Sequence, residues 1–352
     1  MPILQHLYVR ILKHGFEAFV KSNISELLLF DISNARYSRN DMLNMLLIMS
    51  TFNSYAEGTS NTFCSHVRCP TSDTLLSYLK GIDRFELLST SSMMMEQMVK
   101  ALRSKGLLNK PVDIAIDWHD DMYYGDAADM VNGTKPKDGT SYAYQYMTAS
   151  ILMDGVRFVV YTIPIKSRSI LAEYVRNAVT FITNRLQLQL GSIALDAGFF
   201  SEDMASFLQQ SFSYIMRMPA NEKIRKMNLK HGDRIRYKFN DGKETDVVCC
   251  ADDNNKNITY YLVTNIGCDA DKLLDMFRNR WGIETSYRII EQFMPKTTSK
   301  KYEVRLFYFL FAVWMYNLWV LFNIDQQRYG VIVLALKVEL LISILLAASS
   351  EV

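Results

Sequence analysis

The sequence predicts an α/β chain in which a mixed sheet carries helices on its faces, with a helical region ahead of it. Three observations carry that expectation. Up to residue 110, apolar residues recur at spacings of three and four. After Pro111, short apolar runs alternate with helical patterns. Between two β-rich runs, Met153-Asp154-Gly155 reads as a hairpin turn.

Taken in order, residues 42–49, 74–79 and 93–102 have helical periodicity. Thr71 or Ser72, directly after Pro70, is an N-cap for a helix over 73–80 that Gly81 ends. Such a capped helix fits a helix-turn-helix or ordinary helix packing equally well. Residues 112–116 form a short apolar strand closing at Asp117, followed by a polar-aromatic loop through Gly125 and a Gly-, Lys- and Asp-rich loop over 126–140. The hairpin pairs 142–152 with 156–165. A helix over 170–186, a strand over 192–195 ending at Asp196, a helix over 202–210 and a strand over 214–217 follow. Strand, hairpin, helix, strand, helix, strand is the order of an RNase H-like sheet with flanking helices.

Residues 221–266 interrupt that order with strand-like segments at 234–239, 245–250 and 259–263, and 240–242 and 252–256 supply the turns. A long helix then runs over 269–293 and stops before Pro295. The expected organisation is a helical N-terminal, DNA-binding domain over 1–110 and a catalytic core over 111–220 and 267–325. A β-rich basic insertion occupies 221–266, and a C-terminal helix 326–352.

Hydrophobic residues make up 49% of the 352 and charged residues 22%, which excludes a mainly disordered chain. The net charge of +2 averages over unlike regions. Lys223, Arg225, Lys226, Lys230, Arg234, Arg236 and Lys238 face one acid, Asp233, across 223–238. A stripe of this kind is the footprint of a phosphate-backbone binder, or of a solvated surface strand. The five cysteines have no framework spacing, and Cys64 and Cys69 lack a second pair at zinc-finger spacing. Together with no secretory pattern at the start, this gives a reducing, cytoplasmic and nucleoid-associated expectation. Residues 306–322 and 331–348 approach bilayer-spanning length, but the aromatic content of the first is also that of a buried core helix, and no membrane partner is expected.

The chemistry rests on three acids. Asp117 and Asp196 each close a short apolar strand, where sheet proteins place their sites, although Asp-rich turns such as Asp117-Trp-His-Asp120-Asp121 also occur as plain caps. Asp120 is the reserve candidate. Gly198 lets the chain turn beside Asp196, and Ser201 caps the next helix. Glu284 lies among Arg278, Arg280 and Arg288, with Phe277, Trp281 and Tyr287 interleaved. Arg280 and Glu284 stand at i and i+4, the spacing of a surface ion pair. Arginines that clamp phosphates and aromatic rings that stack bases make the same stretch a nucleic-acid site. Three carboxylates from two strand ends and a helix supply the hard oxygen ligands of a two-metal phosphoryl-transfer centre.

These motifs resemble those of the DDE insertion-sequence transposases whose third acid lies in a Tyr-x2-Arg-x3-Glu-x6-Lys signature. Phe277-x2-Arg280-x3-Glu284 matches with Phe for Tyr, and Glu291 stands where the lysine would be. Asp117-Trp-His-Asp-Asp-Met-Tyr-Tyr-Gly125 and Leu195-Asp-Ala-Gly-Phe-Phe-Ser201 resemble the first and second acid motifs, with a Tyr-Tyr-Gly like that of archaeal members. The resemblance spans roughly 110–325. It implies that Asp117, Asp196 and Glu284 bind two Mg2+ (or Mn2+) ions and cut transposon ends for joining to target DNA. It further implies that Arg280 contacts phosphates and Trp281 stacks on a flipped base, and that the chain works as a homo-oligomer in a synaptic complex. Arg278, Tyr287, Arg288, Arg234, Arg236 and Lys238 complete the expected DNA contacts. The alternatives are a DNA-binding relic without catalysis, or a membrane protein with two C-terminal spans.

Overall fold

The computed structural model describes residues 36–153, 155–239, 242–251 and 258–325, together with Lys337. The expected turn residues 154, 240–241 and 252–256 lie outside the described residues, as does the expected C-terminal helix 326–352 apart from Lys337. The chain divides into two compact units, one of residues 102–285 and one of residues 1–101 with 286–352.

In the helical unit, α1 (Arg39–Phe52) opens with a capping box. The Ser38 hydroxyl accepts from the Asp41 N–H, and the Asp41 carboxylate accepts from the Ser38 N–H. After α2 (Ala56–Phe63), Thr71 caps α3 (Ser72–Gly81) by accepting from the Thr74 N–H, as its place after Pro70 predicts. A 21-residue α4 (Arg84–Ser104) then leads into the sheet unit.

The sheet unit opens with β1 (Val112–Tyr123), β2 (Val131–Lys137), β3 (Thr140–Met153) and β4 (Val156–Ile165). It continues with α5 (Leu171–Thr180), β5 (Leu190–Leu195), α6 (Glu202–Ser211) and β6 (Ser213–Met218). A short α7 (Glu222–Lys226) precedes β7 (Arg234–Lys238), β8 (Glu244–Ala251) and β9 (Thr259–Thr264). Then come α8 (Ala270–Arg278) and α9 (Gly282–Phe293), which passes into the helical unit, and finally α10 (Tyr302–Asp325).

All nine described strands form one mixed sheet in the order β2-β3-β1-β5-β6-β9-β8-β7, with β4 also paired to β3. The neighbours β4, β3, β1, β5 and β6 are the RNase H-like arrangement that the element order predicts. Parallel pairing of β1 with β5 ends at Ile116↔Leu195, so the next residues, Asp117 and Asp196, leave that register side by side.

Four features differ from the sequence expectation or add to it. β1 does not stop at Asp117 but continues to Tyr123, because antiparallel pairing with β3 carries it from Asp117↔Thr148 to Tyr123↔Tyr142. The expected loop over 126–140 contains β2, a polar edge strand with Lys135, Pro136 and Lys137, residue types that natural edges use to resist further pairing. The basic insertion, whose sheet partner the strand-like segments leave open, joins the core. Its β9 pairs antiparallel with β6, from Ile215↔Thr264 to Met218↔Tyr261, and thereby extends the core sheet. The long helix expected over 269–293 is broken by a 3-10 turn at Asn279–Trp281.

The apolar face of α8 explains where that broken helix sits. Leu273, Leu274 and Phe277 pack with Ile215 of β6, Val248 and Cys250 of β8, and Tyr260 and Leu262 of β9. In the helical unit α10 is buried almost throughout, from Leu306 to Phe322. Its polar groups find internal partners: Tyr316 donates to Ser286, and Trp314 Nε1 lies 3.4 Å from the Ser91 hydroxyl. Residues Tyr302–Ile324 are long and apolar enough to cross a membrane, and 89% of their most apolar window is buried inside the protein.

Candidate active site

Burial and charge set the character of Asp117. Its carboxyl is pushed up from 3.8 to about 6, chiefly because burial penalises the charged form. The Arg280 guanidinium and the Trp118 N–H pull it down, while the negative charges of Asp196 and Glu284 push it up again. Asp117 therefore feels the charges of both other sequence-predicted acids. Asp196 is more open, standing at the N-terminal boundary of the 3-10 turn Ala197–Phe199.

Between the two aspartates stands Arg280. Its Nη1 donates to Asp117 Oδ2 at 2.8 Å and its Nη2 to Asp196 Oδ1 at 3.4 Å, and the residue is only 3% exposed. The 3-10 turn at Asn279–Trp281 swings this guanidinium into the sheet, where it also lies 5.3 Å from the centre of the buried Phe277 ring. Phe277 is a core anchor in this chain, wholly buried with Tyr260 and Leu262. The i,i+4 spacing to Glu284 does not define the partner of Arg280, since both of its ion pairs are with Asp117 within β1 and Asp196 just after β5.

A second arginine, absent from the sequence reading, fixes the turn. Arg157 Nη1 donates to the carbonyls of Met153 and Val156 at the β3–β4 hairpin, and its Nη2 donates to the carbonyl of Asn279. Its guanidinium occupies the space that a side chain at Gly282 would need, because a Cβ there would lie 2.6 Å from Arg157 Nε. Glycine in Arg280-Trp-Gly282-Ile-Glu284 thus admits the clasp that seats the turn bearing Arg280, just ahead of Glu284.

Trp118 walls the site on its other side. Its ring lies 4.8 Å from that of Phe199, and a Cβ on Gly198 would come within 2.1 Å of its Cη2. The glycine after Asp196 is accordingly a space requirement as well as a turn. Asp120, the reserve candidate, is occupied elsewhere: it accepts from Thr134 Oγ1 at 2.6 Å and Gln145 Nε2 at 2.5 Å. His119 is buried with its imidazole lowered to about 4, so burial keeps the ring neutral near pH 7.

The expected DNA contacts fall into two sets. Glu284 and Arg288 are exposed, and Trp281 is 38% exposed with its ring 6.1 Å from Tyr260. Arg280 and Tyr287 are buried, and Arg278 is half-buried beside Asp275 at 3.6 Å. On β7, Arg234, Arg236 and Lys238 share the exposed face. Arg234 is tied to Asp246 and to the carbonyls of Ile266 and Cys268, while Arg236 also pairs with Asp246 at 3.0 Å.

The donor chemistry fits a divalent cation. Two oxygen ligands converge on a position that the Arg280 guanidinium, itself a cation, now holds. Among the described residues, no three His, Cys, Asp or Glu side chains converge closely enough to grip one ion together. Asp117 and Asp196 would be the first ligands, with Glu284 brought in from the start of α9.

Residues 168–318 match the family described as a transposase DDE domain. The match includes Asp196 and Glu284, and Asp117 precedes it. In architecture the chain is similar to a piggyBac transposase, solved by cryo-EM as a synaptic complex with hairpin DNA. That likeness has a TM-score of 0.60 at 13% identity and covers 96% of this chain and 79% of that one, so it is a likeness of fold. No curated protein matches the chain in sequence.

Proposed function

From the match of residues 168–318 to a transposase DDE domain, we propose that this chain cuts the ends of a DNA element and joins them to target DNA, with Asp117, Asp196 and Glu284 as the catalytic acids. One observation carries the reading: the strand register delivers Asp117 and Asp196 side by side onto a single cationic group, with the charge of Glu284 close by. Carboxylates that need a cation, delivered by β1, by the end of β5 and by a helix, are the protein's part of a phosphoryl-transfer centre.

Divalent ions such as Mg2+ or Mn2+, when bound, supply Lewis acidity toward the attacking and leaving oxygens of a phosphodiester. The chain's own residues prepare for that chemistry. Asp117 and Asp196 hold the ligand oxygens in register. Arg280 holds both carboxylates in place through its two terminal nitrogens. Glu284 would complete the ligand set from the helix that follows the Arg157 clasp. Trp281, exposed beside this turn, offers a ring face for an unpaired base. Because two ends must be cut together, the working form is a homo-oligomer on DNA, in keeping with the synaptic complex reported for the piggyBac protein.

The test is cleavage of DNA carrying the element's own flanking sequences, with Mg2+ or Mn2+, by wild type and Glu284→Gln. Metal-dependent nicking that disappears in the variant supports the triad. Binding without nicking in both proteins would mark a DNA-binding relic instead, and no binding at all would remove the transposase reading.

A further inference from the structure

Asp120 and Gln145 take no part in the acid pair, yet they form a hydrogen-bonded side-chain relay near it. Gln145 is 1% exposed. Its Nε2 donates to Asp120 Oδ1, whose other oxygen is held by Thr134, and its Oε1 accepts from Arg168 Nε at 3.0 Å. Arg168 itself is exposed, and its guanidinium lies 5.4 Å from the centre of the Trp118 ring. A relay anchored on the buried Gln145 therefore fixes one edge of a surface guanidinium while the Trp118 ring supports its face. Its two terminal nitrogens have no partner among the described residues. In a folded protein, a long exposed side chain is ordinarily left to move; this one is tethered at its Nε and over a ring.

The location of that pose gives it meaning. Trp118 follows Asp117, and its backbone N–H donates to Asp117 Oδ1 at 2.9 Å. The same ring fills the space above Gly198 and meets Phe199, just after Asp196. Arg168 thus stands on the wall that touches both acid motifs. A guanidinium with a pinned Nε and an open pair of terminal nitrogens presents a two-pronged donor edge matched to phosphate oxygens.

We propose that Arg168, supported by Trp118 and held by the Gln145–Asp120–Thr134 relay, binds a backbone phosphate of the DNA strand next to the one being cut. The inference rests on the transposase reading and assigns that site a further phosphate contact. Gln145 and Asp120 are positioning residues, acting through Arg168 without touching DNA.

The experiment measures fluorescence anisotropy of a labelled duplex made from the element's flanking sequence across a range of salt concentrations. Wild type, Arg168→Ala, Arg168→Lys and Gln145→Leu are compared, with thermal melting as a check on folding. Because Arg168 is exposed, its removal opens no core. Arg168→Ala is expected to weaken binding roughly tenfold, as for a charge-assisted contact. The slope of log affinity against log salt should become shallower by about 0.9, the loss of one phosphate contact. Arg168→Lys should keep the slope but recover only part of the affinity, because an ammonium cannot hold both the relay and the phosphate. Gln145→Leu should lower affinity without flattening the slope, since the charge remains and only its pose is lost. Arg168→Ala with wild-type affinity and slope would overturn the inference. A wild type that does not bind DNA would overturn the reading beneath it, a distinguishable result.

Discussion

Two charged regions of the sheet unit are built on opposite terms. Where β1 and β5 part, the carboxyl of Asp117 is held up to about 6 by burial, and Arg280 is sunk to 3% exposure between it and Asp196. Along β7, Arg234, Arg236 and Lys238 lie on the open face of an edge strand, and one acid, Asp246, pairs with two of the three. Exposed charge costs a protein little, so a basic stripe is weak evidence for function. Charge held against burial is different: the fold would be more stable without it, and such groups collect where chemistry is done.

That contrast is tested most severely by Asp117→Asn, which should separate activity from stability. DNA cleavage should fall by about a thousandfold or more, since a neutral amide replaces a ligand carboxylate. In the presence of chelator, the same variant should melt at a higher temperature than wild type near pH 8. The sign follows from the raised value. The folded protein binds the Asp117 proton more tightly than the unfolded chain does. That contribution to stability is fully present below 3.8 and is lost as pH rises through about 6. A rise from 3.8 to about 6 corresponds to roughly 3 kcal/mol as an upper scale. The advantage of the amide should therefore be large at pH 8 and vanish near pH 3.5. A variant that is less stable than wild type at pH 8 would show Asp117 to be a structural ion-pair partner, and the contrast with β7 would fail.

The glycines of the site come next in size. Gly198→Ala places a methyl against the Trp118 ring, so the ring or the Asp196 turn must shift. Overpacking of this kind costs about 1–3 kcal/mol, readable as a lower denaturant midpoint, with impaired cleavage because both acids flank the displaced ring. Gly282→Ala should act through Arg157. The clasp on the Asn279 carbonyl would loosen, and cleavage should fall more than stability does. Arg157→Ala should reproduce that pattern, and restoring space by combining the two should not restore cleavage if the clasp itself seats Glu284.

These positions also show what the sequence could and could not reveal. An apolar run ending in an acid is a local pattern that singles out Asp117 and Asp196, although β1 runs on past Asp117, and the hairpin was legible because its turn residues are local too. β2 escaped because its side chains are polar and only backbone pairing with β3 makes it a strand. The partners of Arg280 escaped because helical spacing offered Glu284, four residues on, whereas the acids that hold it lie 163 and 84 residues away in the chain. Arg157 gave no signal at all: an arginine after a hairpin turn is unremarkable until Asn279 and Gly282 are brought beside it. The break at 279–281 follows from the same tertiary demand, since an unbroken helix would not turn Arg280 inward. Charge near charge in sequence is thus poor evidence of pairing when a buried acid elsewhere competes for the same guanidinium.

The smallest effects belong to β7, and they bear on the comparison from its other side. Arg236 is 68% exposed at its side chain and Arg234 30%, and the latter is also tied to two backbone carbonyls. Replacing Arg236 alone should change stability by at most about 0.5 kcal/mol, because an exposed ion pair is worth little. Replacing Arg234 should lower the melting temperature more, since it also leaves the Ile266 and Cys268 carbonyls without a donor. On DNA the order should reverse if this edge meets the phosphate backbone. Lys238 and the more exposed Asp246 partner, Arg236, are the charges best placed to reach it, and their joint replacement by Ala should flatten the salt dependence of binding by about one unit per lost contact. If the salt slope is unchanged while Arg168→Ala flattens it, the exposed stripe is a solvated strand face, and the DNA contacts lie beside the buried acids.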